Sequence, residues 1–178
     1  MVGGLPSPGE PGHRHRSHLV AFVPGDRITA EDTPEDNKGV RRGVMQRQAE
    51  GTKVVMSFSY VWDAPVHSRL YEAEKSLHQI NLAFQRHVMD NLLFSLFDFH
   101  EGDYNFQGQK KLFQIDAGLA VVGAISEMFF QDRRGLLRIL PALPAAFPEG
   151  SISGLRSRGG FEVDINWSKG RLTEAKLR

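Results

Sequence analysis

The chain has 178 residues, enough for one domain or for one large and one small unit, and a globule this size can bury a real core. Hydrophobic content of 40% and charged content of 24% are ordinary for a globular protein. A formal net charge of +1 gives no electrostatic reason to expect nucleic acid or an anionic membrane as partner, and the absence of cysteine excludes disulfides, thiolate nucleophiles and cysteine-ligated zinc.

The opening "MVGGLPSPGEPG", residues 1–12, is turn-forming and is expected to be flexible. It contains no apolar run that could serve as a signal peptide, and no later window approaches a membrane span. Its abrupt passage into patterned sequence resembles a linker running into the middle of a domain. "GHRHRSHL" follows, with His13, His15 and His18 within six positions. No Asp, Glu or Cys lies nearby at ligand spacing, whereas a metal site needs three or four converging ligands. Composition favours a solvated His/Arg loop, and no metal or other cofactor is expected.

Thr33 before Pro34 and two acidic residues signals a helix start, with Val40, Val44 and Arg47 at helical spacing. From about Phe58 to Leu96 the composition is helical, interrupted by Pro65, which should kink a helix or cost it about 3 kcal/mol. Leu77, Ile80, Phe84, Val88, Leu92 and Leu96 form one apolar stripe. "HEGDYNFQGQKKL" reads as a loop. "DAGLAVVGAISEMFFQD" is almost wholly apolar, as expected of a helix buried on all sides. Beyond "DRRG", "LLRILPALP" reads as an apolar strand broken by prolines. The remainder alternates with period two, with "RGG" and "SKG" as hairpin turns. Helices therefore come first, and a small antiparallel β unit closes the chain.

Asp116 sits at the junction of a loop with the apolar helix. It is either an N-cap satisfying free backbone N–H groups or a carboxylate held rigidly at the mouth of a helical core. Glu127 cannot be its acid–base partner across one glycosidic bond. The eleven positions from 116 to 127 span about 16 Å of helix, whereas such pairs stand about 5–9.5 Å apart. Glu127 is expected to be a buried partner for an arginine or histidine.

Six segments, in order, carry a resemblance to a known family. They are "HRHRSHL" (13–19), "PGDRIT" (24–29), "SFSYVW" with "RL" (57–70), "LFDFH" (96–100), "FQID" (113–116) and "LLRILPALPAAFPEGSISGLRSRGGFEVDINW" (136–167). Together they resemble glycoside hydrolase family 95, the inverting α-L-fucosidases. The resemblance implies a mainly α chain with a C-terminal β unit, comprising part of an (α/α)6 barrel over residues 13–135 and a small antiparallel β domain over 136–178.

It further implies a fucosylated glycan with terminal α-1,2-linked fucose as substrate. Asp116 would be the catalytic aspartate that polarises the base, with His13, His15 and Trp62 as sugar contacts. The family's general-acid glutamate and base asparagine come from regions N-terminal to the histidine motif. The isolated chain is therefore expected to be inactive and to need the N-terminal half of the barrel as partner. Full-length members are often secreted.

Departures from the family pattern are Gly118 where an asparagine is usual, Phe58 where a tryptophan is usual, Pro65 within a helix, and an insertion before Asp116. The competing expectations are a non-catalytic sugar-binding or interaction module on the same fold, and a His-rich metal-binding protein.

Overall fold

The computed structural model describes residues 14–49, 55–100 and 107–178. His13 and much of the insertion before Asp116 lie outside the described residues. After a 3-10 turn at Ser17–Leu19 come four helices: α1 (Pro34–Ala49), α2 (Ser57–Arg69), α3 (Ala73–His87) and α4 (Ile115–Phe129). Five strands follow: β1 (Phe130–Arg133), β2 (Leu136–Ile139), β3 (Gly150–Arg156), β4 (Glu162–Ser168) and β5 (Arg171–Leu177). The expected order, helices and then a small antiparallel β part, is the one observed.

α1 begins where the Thr-Pro signal placed it. Proline at the first helical position lacks only an N–H that would have no partner there, and Glu35 and Asp36 complement the positive end of the dipole. Val40, Val44 and Arg47 form its buried stripe. α2 is the central element, packed against both α3 and α4 and buried on nearly every face. Pro65 lies inside it without ending it, because packing on all sides holds the helix through the missing hydrogen bond.

The long apolar stripe from Leu77 to Leu96 does not belong to one helix. α3 ends at His87, Val88 is extended, and Leu92 adopts a positive φ of 64° with its side chain 81% exposed. The buried face of α3 is instead Ser76, Gln79, Ile80, Ala83 and His87. Three- and four-residue spacing continued by chance through a turn, which periodicity alone cannot detect.

α4 departs from its expectation in two ways. It stops at Phe129, and the next four residues become β1, paired with β2 through a turn in which Arg134 and Gly135 both have positive φ. That is the twist-matched two-residue hairpin, and Lys169-Gly170 repeats it between β4 and β5. Second, α4 is not buried all round. Ala117, Val121, Ala124 and Met128 face the core, while Ile115, Leu119 and Val122 are exposed at 60%, 73% and 66%.

The β3–β4–β5 sheet is antiparallel with β4 in the middle. Val163, Ile165 and Trp167 alternate inward along β4 and join the same hydrophobic cluster as Tyr60, Ile80, Ala117 and Met128. The β unit and the helices thus share one core. A second cluster joins Leu19, Phe22 and Ile28 to Val40 and Val44 of α1 and Val66 of α2, which fixes the N-terminal segment to the helices.

Candidate functional site

Both N-terminal ends of α2 and α4 lie at one rim, and a single side chain ties them together. Gln114, the N-cap position of α4, turns its Oε1 to the start of α2, where the Ser57 hydroxyl and the Phe58 backbone N–H (3.1 Å) both donate to it. With the oxygen so occupied, the amide nitrogen faces the other way and donates to Asp116 Oδ2 at 3.4 Å. Gln114 therefore satisfies free donors of one helix while holding the carboxylate of the next.

Asp116 itself is not the N-cap. It lies in the first turn of α4, is exposed, and its Oδ1 accepts from the Ala117 N–H at 3.1 Å. The N-cap alternative for Asp116 is thus corrected: Gln114 holds the N-cap position without a side-chain cap bond, and the aspartate lies exposed in the first turn.

The histidine-rich segment is tied to α1 and α2. Ser59 of α2 donates through its hydroxyl to the Arg14 carbonyl at 2.7 Å. Arg47 of α1 donates to the His15 carbonyl at 2.8 Å. Between them, Arg16 makes a bidentate ion pair with Asp63 of α2, Nε to Oδ1 at 2.7 Å and Nη2 to Oδ2 at 2.9 Å, both side chains being 3% exposed. Arg16 and Asp63 are therefore the anchor of the motif, and the His15 side chain stands exposed beside it. His18 lies at the surface, where partial desolvation of its ring, then the Arg47 and Arg16 charges, lower its pKa to about 4. Among the described residues no three His, Asp or Glu side chains cluster as metal ligands.

Trp62 lies one turn further along α2. Its indole N–H donates to the Val23 carbonyl at 3.2 Å, so it presents its ring rather than its polar edge. Phe58 meets it edge-on with ring centroids 5.3 Å apart. Both rings line a pocket of about 310 Å³ between α2, α4 and the Val23-Pro24 loop, whose walls include Pro65, Ala120 and Gly123. The polar part of its lining is Arg69 and Glu127. Arg69 holds Glu127 through two hydrogen bonds, Nε to Oε2 at 3.0 Å and Nη2 to Oε1; the arginine partner is the expected one, though it is the arginine that is buried and the glutamate is half-buried.

The structure ties Asp116 to the start of α2 through Gln114, and ties the histidine segment to the same helix, which also carries Trp62, through Ser59 and the Arg16–Asp63 pair. Sequence reasoning passed over Gln114 and Asp63. A visible signal existed for the second, since Asp63 is the one acidic residue in the apolar "SFSYVWDAPV" run and needs a cation.

Comparison with known proteins shows the family to which this sequence belongs. Residues 7–129 match the glycosyl hydrolase family 95 catalytic domain, and residues 131–178 match the glycoside hydrolase family 95 C-terminal domain. The chain belongs to glycoside hydrolase family 95. It is 35% identical over 173 residues to Alpha-L-fucosidase 2 of Arabidopsis thaliana, covering 93% of this chain and 19% of that protein. It is 27% identical to a Probable alpha-fucosidase A of Aspergillus oryzae and 29% identical to one of Aspergillus niger, covering 23% and 21% of their lengths. The chain spans about a fifth of the length of these relatives.

Proposed function

We propose that this chain supplies one wall of the substrate cleft of an α-L-fucosidase that removes terminal α-1,2-linked fucose with inversion. Asp116 is the carboxylate that polarises the water-activating base. His15, together with His13, contacts sugar hydroxyls, and the Trp62 ring offers an apolar face to the sugar. The observation that supports this reading is the Gln114 bridge, which ties Asp116 to the start of α2, the helix whose Ser59 hydroxyl also holds the Arg14 carbonyl of the histidine segment.

The general-acid glutamate and the base asparagine correspond to no position in this chain, so residues 1–178 are inactive alone. The exposed Ile115, Leu119 and Val122 of α4 support the same view, since burying large apolar side chains of this kind is worth about 1.5–3 kcal/mol each. The N-terminal barrel helices of the longer enzyme are the partner that covers them.

The test is release of fucose from an α-1,2-fucosylated oligosaccharide. The expected result is none with the chain alone and turnover once the N-terminal region of a family 95 relative is added in trans. Asp116→Asn should then lower turnover by at least about a hundredfold, the lower end for loss of a general-base contribution. Unchanged turnover removes the role given to Asp116, and no turnover in the mixture removes the complementation.

A further inference from the structure

A second polar cluster lies away from the rim, where the C-terminal ends of α2 and α4 meet the β1–β2 hairpin. Arg133 on β1 is 2% exposed, and neither its Nε nor its Nη1 has a hydrogen-bond partner among the described residues. Its Nη2 makes one long contact, 3.3 Å to Gln131 Oε1. Gln131 and Arg133 are two apart on one strand, and Arg138 pairs with Gln131 in the β1–β2 register, so all three share a face.

The carboxylates near this face are committed elsewhere. Both oxygens of Glu127 take hydrogen bonds from Arg69. Glu31 takes Arg138 at 2.6 Å and the Tyr71 hydroxyl at 2.7 Å. Burial opposes the Glu31 charge, but the hydrogen bonds from Tyr71 and Arg138 outweigh it and hold its pKa at about 2, so it is ionised.

Three guanidiniums, Arg69, Arg133 and Arg138, therefore stand against two carboxylates, and the charge left over sits on the most buried of the three. Burial, followed by the Arg69 charge, lowers the Arg133 pKa, as expected for a cation short of a counter-charge. A buried cation with open donors is among the costliest arrangements in a protein interior. Water would satisfy the donors and leave the charge unbalanced. An anion does both.

We propose that Arg133 binds a small monovalent inorganic anion, chloride in size and charge, through its Nε–H and Nη1–H donors. The site borders the Trp62 pocket through Arg69 and Glu127 but includes neither Asp116 nor the histidine segment.

The test uses the full chain at constant ionic strength, with chloride replacing gluconate. A ligand that binds only the folded state raises the melting midpoint saturably, here by about 2–4 °C once chloride exceeds its dissociation constant severalfold. Arg133→Met should abolish that rise. Arg156→Met, in an exposed pair with Glu162, should keep it. Equal midpoints in the two salts, or an undiminished rise in Arg133→Met, overturn the proposal. Bromide-soaked crystals of the unsubstituted chain decide the matter without a variant. An anomalous peak within hydrogen-bonding distance of Arg133 Nε and Nη1 supports the site, and water alone there refutes it.

Discussion

Removing the Asp63 carboxylate by Asp63→Ala should be among the most damaging single changes in this chain. Its partner Arg16 holds both carboxylate oxygens at 2.7 and 2.9 Å, and both side chains are buried. At that separation the gross attraction is about 6 kcal/mol for an effective dielectric of about 20. Desolvation of the two ions costs several kcal/mol each, so the intact pair adds little net stability. The broken pair is another matter, because Arg16 would stay buried without its counter-charge.

Such losses run at about 3–5 kcal/mol, a large share of a typical folding stability of about 5–15 kcal/mol. With a urea slope of about 2 kcal/mol per molar, the denaturation midpoint should fall by about 2 M. Arg16→Met combined with Asp63→Leu should recover most of the loss, since two apolar side chains of similar volume need no counter-charge. Equilibrium urea unfolding followed by tryptophan fluorescence measures both. A single-mutant loss below about 1 kcal/mol, or a double mutant no better than the single, would refute the view that this ion pair anchors the histidine segment.

Further outcomes test other parts of the structure. Burial lowers the His87 pKa from 6.5 to about 4, so its contribution is fully present above about pH 6.5 and is lost as pH falls toward 4. That gap corresponds to about 3 kcal/mol, and His87→Gln should flatten unfolding free energy against pH across this window. A Cβ on Gly150 would lie 2.4 Å from the Trp167 ring. Gly150→Ala should therefore cost about 1–3 kcal/mol and alter the near-ultraviolet dichroism, and an unperturbed spectrum would contradict the packing. Leu119→Lys with Val122→Lys should change stability by less than about 0.5 kcal/mol while reducing self-association in sedimentation, because both side chains already face outward.

Much of the fold was legible because it rests on local rules. Thr33-Pro34 announces α1 through capping chemistry, and the alternation of Val163, Ile165 and Trp167 declares a strand with one buried face. "SKG" marks a hairpin because Lys169 and Gly170 must both take positive φ. The stripe from Leu77 to Leu96 misled because spacing cannot register a backbone turn at Leu92. The end of α4 at Phe129 was equally hidden, since Phe130 to Arg133 turn to strand through pairing with residues three to nine positions later.

The candidate site divides in the same way. His13, His15, Trp62 and Asp116 stand out by residue type and motif, and sequence alone supplied the family resemblance that groups them. Which groups anchor the segments that carry His15, Trp62 and Asp116 was settled only in three dimensions. Gln114 and Ser57 are 57 positions apart, and Arg16 and Asp63 are 47. A hydrogen bond or a buried ion pair depends on a few ångströms of separation, and separation along the chain carries no record of it. The open face of α4 is of this kind too. Its apolar residues are plain in the sequence, but which of them meet α2 and which face outward follows from the angle at which the two helices pack.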